Sequence, residues 1–176
     1  VQGLQAEEHP IALLIGVERC TEGPILLITR QGLSIRFAAD EVSATGRATA
    51  GVRGIALEAG DEVVLATQTT DEGEVLVLTD NGYAKRSLIF DYELQKRNGK
   101  GAKTIEFARS GINGHELAAA FYVTEPFVIR VSLSDGTVQT LDTDEVRIRK
   151  KLSKGSLLLT IPAGQSIEEA VGISRS

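Results

Sequence analysis

The sequence predicts an all-β fold, a propeller-like array of about three four-stranded blades set as an open arc. Three observations predict it. Short runs of Ile, Leu and Val alternate with turn dipeptides, and glycines recur at fixed intervals. No window of useful length carries the 3.6-residue period of a substantial amphipathic helix. Units of about 50 residues holding four strands have the length and content of propeller blades.

The repeat comes first. Ile25-Leu26-Leu27-Ile28-Thr29-Arg30-Gln31-Gly32 aligns with Val75-Leu76-Val77-Leu78-Thr79-Asp80-Asn81-Gly82, and more weakly with Val128-Ile129-Arg130-Val131-Ser132-Leu133-Ser134-Asp135-Gly136. Gly32, Gly82 and Gly136 lie 50 and then 54 residues apart, and so do Gly51, Gly101 and Gly155. Ile55, Ile105 and Leu159 keep the same two intervals. Three markers sharing two intervals establish an internal repeat.

Within each unit the first strand runs into Gln31-Gly32, Asn81-Gly82 or Asp135-Gly136. The last two dipeptides predict tight two-residue hairpins with positive φ at both central residues. Second strands are predicted over 33–37, 83–88 and 137–141, with at most a helical turn around 40–43. An acidic-then-apolar strand separates the units: Glu62-Val63-Val64-Leu65, Glu116-Leu117-Ala118-Ala119 and Glu169-Ala170-Val171. His9-Pro10-Ile11-Ala12-Leu13-Leu14-Ile15 reads as a fourth copy of it at the front. The chain is thus one repeat domain, 1–176, with approximate blades 9–60, 61–114 and 115–176. The extra flanking strand predicts sharing or exchange of strands between neighbours, which covers exposed edges.

Composition narrows the function. At 176 residues the chain is too short for a large multidomain enzyme. No stretch approaches the roughly 20 apolar residues of a membrane span, and no signal peptide opens the chain. Cys20 stands alone, as a small apolar filler, and its solitude points to the cytoplasm. His9 and His115 lack metal-ligand spacing, so neither a metal nor any other cofactor is expected. Met is absent and the chain opens Val1-Gln2-Gly3, which is expected of a piece cut from a longer polypeptide.

The net charge of −5 argues at first against nucleic acid. Its distribution reverses that. Windows 44–54, 85–103 and 147–154 hold 13 of the 19 basic residues and only two acids, Asp91 and Glu93, so they sum to +11 against −16 for the remainder. The cations are Arg47, Arg53, Lys85, Arg86, Lys96, Arg97, Lys100, Lys103, Arg147, Arg149, Lys150, Lys151 and Lys154. These windows occupy equivalent places in the repeat, and equivalent places in an arc fall on one rim. A segregated basic stripe is the footprint of backbone-directed nucleic-acid binding. Few aromatics interleave it, and no recognition helix accompanies it, which leaves duplex DNA bound through phosphates without sequence preference.

Gln95-Lys96-Arg97-Asn98-Gly99-Lys100-Gly101 resembles the box, usually Q-R-R-G-G-K-G, of bacterial type IIA topoisomerase A subunits, the family of gyrase and topoisomerase IV. Asn81-Gly82-Tyr83-Ala84-Lys85-Arg86 resembles that family's N-G-Y-G-K-R, and Ser34-Ile35-Arg36-Phe37 with the stretch from Gly46 to Ile55 resembles its blade signature. The likeness is dense from Ile25 to Ile105 and thins in the third unit. Lys96 and Asn98 stand where the box has Arg and Gly.

The resemblance implies a β-pinwheel, a propeller variant with strand exchange, which wraps or bends DNA around its basic rim and presents it to the cleavage core of the same A subunit. The domain itself would carry no active site. The parent it implies is an ATP-dependent type IIA topoisomerase, an isomerase acting on DNA supercoiling. Its indirect partner would be the ATPase B subunit, and its place the bacterial cytoplasm at the nucleoid. Gyrase and topoisomerase IV both stay open. The predicted DNA site comprises those 13 cations, drawn from the charge distribution, with Gln95, Gly99 and Gly101 of the box, the glycines serving loop geometry.

Enzymatic readings fail on spacing. A P-loop needs G-x-x-x-x-G-K-[ST], whereas Lys100 is followed by Gly and Lys103 is preceded by Ala. The acid pairs Asp61-Glu62 and Asp144-Glu145 are adjacent and near turns. The competing reading is a propeller-like protein-interaction module whose rim grips an acidic partner.

Overall fold

The computed structural model describes residues 21–46 and 48–175. His9, the front strand copy 9–15, Cys20 and Arg47 lie outside the described residues.

Eleven strands follow in chain order: β1 (Ile25–Thr29), β2 (Leu33–Phe37), β3 (Val63–Gln68), β4 (Glu74–Thr79), β5 (Tyr83–Leu88), β6 (Ala102–Lys103), β7 (Leu117–Val123), β8 (Val128–Leu133), β9 (Val138–Asp142), β10 (Ser156–Leu157) and β11 (Ile167–Ile173). Three short 3-10 turns follow the second strands, at Ala39–Glu41, Ile89–Asp91 and Thr143–Glu145. The fold is all-β, as the periodicity predicts, and the helical turn expected around 40–43 is the first of those three.

The strands form three antiparallel sheets, ordered β3-β1-β2-β6, β7-β4-β5-β10 and β11-β8-β9. By the approximate blade bounds, each of the first two takes both its edge strands from the following unit: β3 and β6 in the first, β7 and β10 in the second. Ala102 and Lys103 pair with Ser34 and Leu33, and Ser156 and Leu157 pair with Ala84 and Tyr83. Among the described residues the third sheet has three strands rather than the predicted four, and the outer edge of β9 carries none.

The hairpins differ from the sequence expectation. Gly82 is left-handed at φ 78°, but neither Asn81 nor Asp135 has positive φ. The Gly82 N–H donates to the Thr79 carbonyl at 3.1 Å, and the Tyr83 N–H donates to Thr79 Oγ1 at 3.1 Å. The loop therefore holds three residues, two with negative φ and then a left-handed glycine, a commoner companion of a G1 bulge than of a two-residue turn. Thr29 repeats this arrangement with Gly32 and Leu33. The threonine hydroxyl accepts the N–H that follows the glycine, which favours the longer loop.

The sheets stack face to face, and β4 is buried on both sides. Val75 and Val77 enter one cluster with Leu26, Ile28 and Ile105, while Leu76 and Leu78 enter another with Ile129, Val131 and Leu159. This is why its sequence is a continuous apolar run rather than an alternation. A third cluster of Ile35, Phe37 and Ile55 closes the outer face of the first sheet.

Candidate nucleic-acid interface

The basic box is a strap laid over the preceding repeat, and its backbone is pinned along its length. The Gln95 N–H donates to the Arg36 carbonyl at 2.7 Å, and the Asn98 N–H to the Gly54 carbonyl at 2.8 Å. The Gly99 carbonyl accepts the Ala56 N–H at 2.9 Å. Gly101 is left-handed at φ 76°, and a Cβ there would lie 2.7 Å from the Ser34 carbonyl oxygen, so close approach as well as conformation requires glycine. Asn98, standing where the resemblance expects glycine, has φ 63°. Asn is among the non-glycine residues that best tolerate this region, so the departure keeps the loop's shape.

Exposure along the strap alternates. Gln95, Arg97, Gly99 and Gly101 are half-buried, while Lys96 and Lys100 are exposed. The third repeat does the same: Lys151, Ser153 and Gly155 are half-buried while Lys150 and Lys154 are exposed. Lys96 and Lys100 stand 54 residues before Lys150 and Lys154, so the two straps offer matching pairs of exposed ammonium groups with no ion-pair partner among the described residues. Lys103, Arg147, Arg149 and Arg53 are exposed as well. Arg149 Nη2 donates to Ser156 Oγ at 2.8 Å, which braces that side chain. The first repeat has Gly46 and Ala50 at the two strap-lysine positions, so the exposed charge concentrates on repeats two and three.

Four of the cations singled out by sequence are structural in placement. Arg97 is half-buried, donating from Nε to the Glu41 carbonyl at 3.1 Å and from Nη1 to the Arg53 carbonyl at 2.6 Å, while its own N–H donates to Glu41 Oε2 at 2.9 Å. Arg86 pairs with Glu74 at 2.7 Å and donates from Nε to the Val146 carbonyl at 2.7 Å. Lys85 is fully buried, with Nζ donating to Ser87 Oγ at 2.9 Å and to the Lys151 carbonyl. Lys151 is half-buried with its ammonium 4.6 Å from the centre of the Tyr92 ring. A lysine without accessible surface cannot meet a partner, so Lys85 leaves the exposed set.

Burial holds the Lys85 ammonium down to about 7, with repulsion from Lys151 adding to it and Asp91 opposing it. Burial also lowers Lys151, against the pull of Asp91 and Glu93. Burial raises Tyr92 to about 12, although its hydroxyl is 2.5 Å from Thr104 Oγ1. The signs give a stability profile. Between about pH 7 and the ordinary lysine range the unfolded chain binds more protons than the folded one, so stability rises with pH, by up to about 1.4 kcal/mol per unit from one such group. Above about pH 10 the unfolded chain loses the tyrosine proton first, and stability falls again. Urea midpoints measured across this range are expected to peak near pH 10, and Lys85→Met is expected to flatten the rise between pH 7 and 10.

Sequence reasoning missed the partners of this scaffold. Arg36 is buried, donating to Thr69 Oγ1 at 3.0 Å, the Thr70 carbonyl at 2.8 Å and the Tyr92 carbonyl at 3.3 Å. Asn113 is buried and ties the Glu106 carbonyl, at 2.8 Å, to the Lys154 carbonyl, at 3.0 Å. The signal for the arginine was the interval, because Arg36 and Arg86 lie 50 residues apart. Asn113 has no counterpart in the repeat that would have drawn attention to it.

Comparison with known proteins adds an independent line. Residues 24–69 and 73–123 match the family model described as DNA gyrase C-terminal domain, beta-propeller. The chain is 32% identical to the DNA gyrase A subunit of Chlamydia muridarum over 147 residues, which is 83% of the chain and 17% of that protein. It is also 32% identical to the Staphylococcus epidermidis counterpart over 164 residues, 92% of the chain and 18% of the relative. The chain thus spans less than a fifth of the length of these relatives. Among solved structures it resembles the C-terminal domain of DNA topoisomerase IV, with a TM-score of 0.78 at 22% identity, over 86% of this chain and 47% of that one. It also resembles a DNA gyrase A C-terminal domain, with a TM-score of 0.75 at 21% identity, over 88% and 52%.

Proposed function

The chain belongs to the DNA gyrase C-terminal domain family, and from that premise we propose that it binds duplex DNA through phosphates and bends or wraps it along the exposed basic straps of its repeats. It does so as a non-catalytic part of the A subunit of a bacterial type II topoisomerase, presenting the DNA to that subunit's cleavage core. The B subunit, the ATPase, is an indirect partner. Its place is the cytoplasm, at the nucleoid.

One observation carries the reading: exposed Lys96 and Lys100 recur as exposed Lys150 and Lys154 on straps whose backbones are tied down. Ammonium groups at a repeated spacing on a rigid support suit a repeating phosphate backbone, and they need no base contact. Lys103, Arg53, Arg147 and Arg149 extend the path. Arg86, Arg97 and Lys151 support it from within, as do Gln95, Gly99 and Gly101.

Affinity for relaxed circular duplex DNA, measured across a salt series, tests the proposal. Log-linear loss of affinity with salt is expected, whatever the base sequence. Replacing Lys96, Lys100, Lys150 and Lys154 by Gln is expected to weaken binding by at least about tenfold and to flatten the salt slope by roughly 0.9 for each phosphate no longer neutralised. Ligation after binding then separates wrapping, which shifts the linking number, from bending, which does not. An unchanged slope in the fourfold variant would remove the straps from the DNA site. No binding at low salt would favour a protein partner instead.

A further inference from the structure

Beside its lysines, each strap holds a large apolar side chain out to solvent. Leu94 is 58% exposed and Ile148 is 49% exposed, and neither enters any of the three core clusters. They stand 54 residues apart, the interval that separates Lys96 from Lys150 and Lys100 from Lys154. Each therefore comes two residues before the first exposed lysine of its strap. Both straps lead into the joints where β6 adds to β2 and β10 adds to β5, so neither position lies at an end of the described array.

Their backbones are held in the same way. Leu94 forms a parallel bridge with Arg36, and Ile148 forms one with Arg86. The Gln95 N–H donates to the Arg36 carbonyl at 2.7 Å. Around Ile148, the Arg147 carbonyl accepts the Arg86 N–H at 3.1 Å, and the Arg149 N–H donates to the Arg86 carbonyl at 2.8 Å. Apolar residues scattered singly over a surface need no explanation, but these two recur in register with the lysines. The first repeat supplies the control. Its residues at the positions of Leu94, Lys96 and Lys100 are Ala44, Gly46 and Ala50, all exposed. Where the two lysines are missing, the large apolar side chain is missing with them. A role in packing alone would not tie the one to the other.

We propose, resting on the duplex-binding role above, that Leu94 and Ile148 lie against the deoxyribose of the DNA whose phosphates Lys96 and Lys150 hold, and so make the straps select deoxyribose over ribose. Two residues of extended chain span about 6.6 Å. A lysine can therefore take a phosphate while its apolar neighbour meets the adjoining sugar. Phosphate is common to DNA and RNA, so the ammonium groups do not distinguish them by charge, whereas the 2′-hydroxyl does. A 2′-methylene covered by Leu or Ile gives up no hydrogen bond. A 2′-hydroxyl covered in the same way surrenders its water without gaining a partner.

Affinities of the 176-residue chain for duplex DNA and for duplex RNA of the same sequence, each across a salt series, test this. Wild type is expected to prefer DNA. Leu94→Asn combined with Ile148→Asn is expected to lower that preference by at least about tenfold, chiefly through weaker DNA binding. Its salt slope is expected to match wild type, because no phosphate contact is lost. Lys96→Gln combined with Lys150→Gln is expected to do the reverse, flattening the slope for both duplexes and keeping the preference. Any preference that comes from duplex shape persists in every variant, so the change in the ratio is the readout. Leu94 and Ile148 are exposed, so circular dichroism of their double variant is expected to match wild type. A wild type that binds both duplexes equally would overturn the proposal and leave the duplex-binding role standing. So would a Leu94 and Ile148 variant that keeps the full preference, or one that flattens the slope as the lysine variant does. A wild type that binds neither duplex at low salt would overturn the duplex-binding role itself, and this proposal with it.

Discussion

Gly82→Ala is expected to destabilise the chain by about 2–5 kcal/mol, the sum of a left-handed alanine and a backbone collision. Gly82 has φ 78°, and its carbonyl accepts the N–H groups of Leu158 at 3.0 Å and Leu159 at 3.1 Å. The new Cβ would lie 1.9 Å from the Leu159 carbonyl oxygen and 2.9 Å from its carbon. Those are backbone atoms of the joint, not the tip of a flexible side chain, so relief requires the strand β10 to move away from β5. Leu159 is buried in the cluster that unites the second and third sheets, so that movement loosens the whole contact between them. The control is Gly136→Ala, with φ 84° and nothing within 4 Å of the new Cβ among the described residues. It is expected to cost only the conformational share, about 1–2 kcal/mol. Urea denaturation of the two variants checks the difference, and equal losses would show that the Leu159 contact carries no energy. Should Gly82→Ala unfold in two steps, the first is expected to release the third repeat.

Arg86→Met ranks second, with an expected loss of about 3 kcal/mol. The guanidinium and the Glu74 carboxylate are both largely buried, 13% and 20% exposed, at 2.7 Å. Removing the cation leaves Glu74 uncompensated and the Val146 carbonyl without its side-chain donor, and breaking such a pair costs far more than the pair contributes net. The double variant Arg86→Met with Glu74→Leu is therefore expected to recover most of the loss, because replacing both partners by apolar groups is often close to neutral. A thermal melt of the single and double variants reads this directly. Arg36 is the informative comparison. Its acid, Asp71, is 98% exposed, so Asp71→Asn is expected to change stability by less than about 1 kcal/mol. The value of Arg36 lies in the carbonyls it caps, those of Thr70 and Tyr92.

How much of this was legible in the sequence depends on what the repeat could carry. The strands, their order within each unit and the equivalence of the three basic windows all follow from intervals, and intervals survive folding. The direction of individual side chains does not. Lys85 sits on a strand whose neighbours Ala84 and Ser87 are also buried, so in–out alternation gave no warning that its ammonium points to Ser87 and the Lys151 carbonyl. Arg97 reads as one more cation in a run, and only the fold brings Glu41 and the Arg53 carbonyl to it. The hairpins differ for another reason. Asn-Gly suits a two-residue turn, but Thr79 takes up the N–H of Tyr83 and so favours the three-residue loop. The acidic-then-apolar strand suggested itself as the shared element, and by the approximate blade bounds β3 and β7 do pair into the preceding sheet, with β1 and β4. What the sequence did not show is that β6 and β10 cross as well, because two-residue segments are too short to show any periodicity.

That exchange sets a timetable for the nascent chain. The edge of β2, complete at Phe37, is covered only when Ala102 and Lys103 arrive, about 65 residues later, on the order of 3–13 s at roughly 5–20 residues per second. The edge of β5 waits in the same way for Ser156 and Leu157. Each of the first two repeats therefore leaves the ribosome with a bare edge, and the strand that covers it belongs to a later stretch of the same polypeptide. A stall between residues 90 and 100 would release a chain whose first sheet has three strands and an edge open to any neighbour.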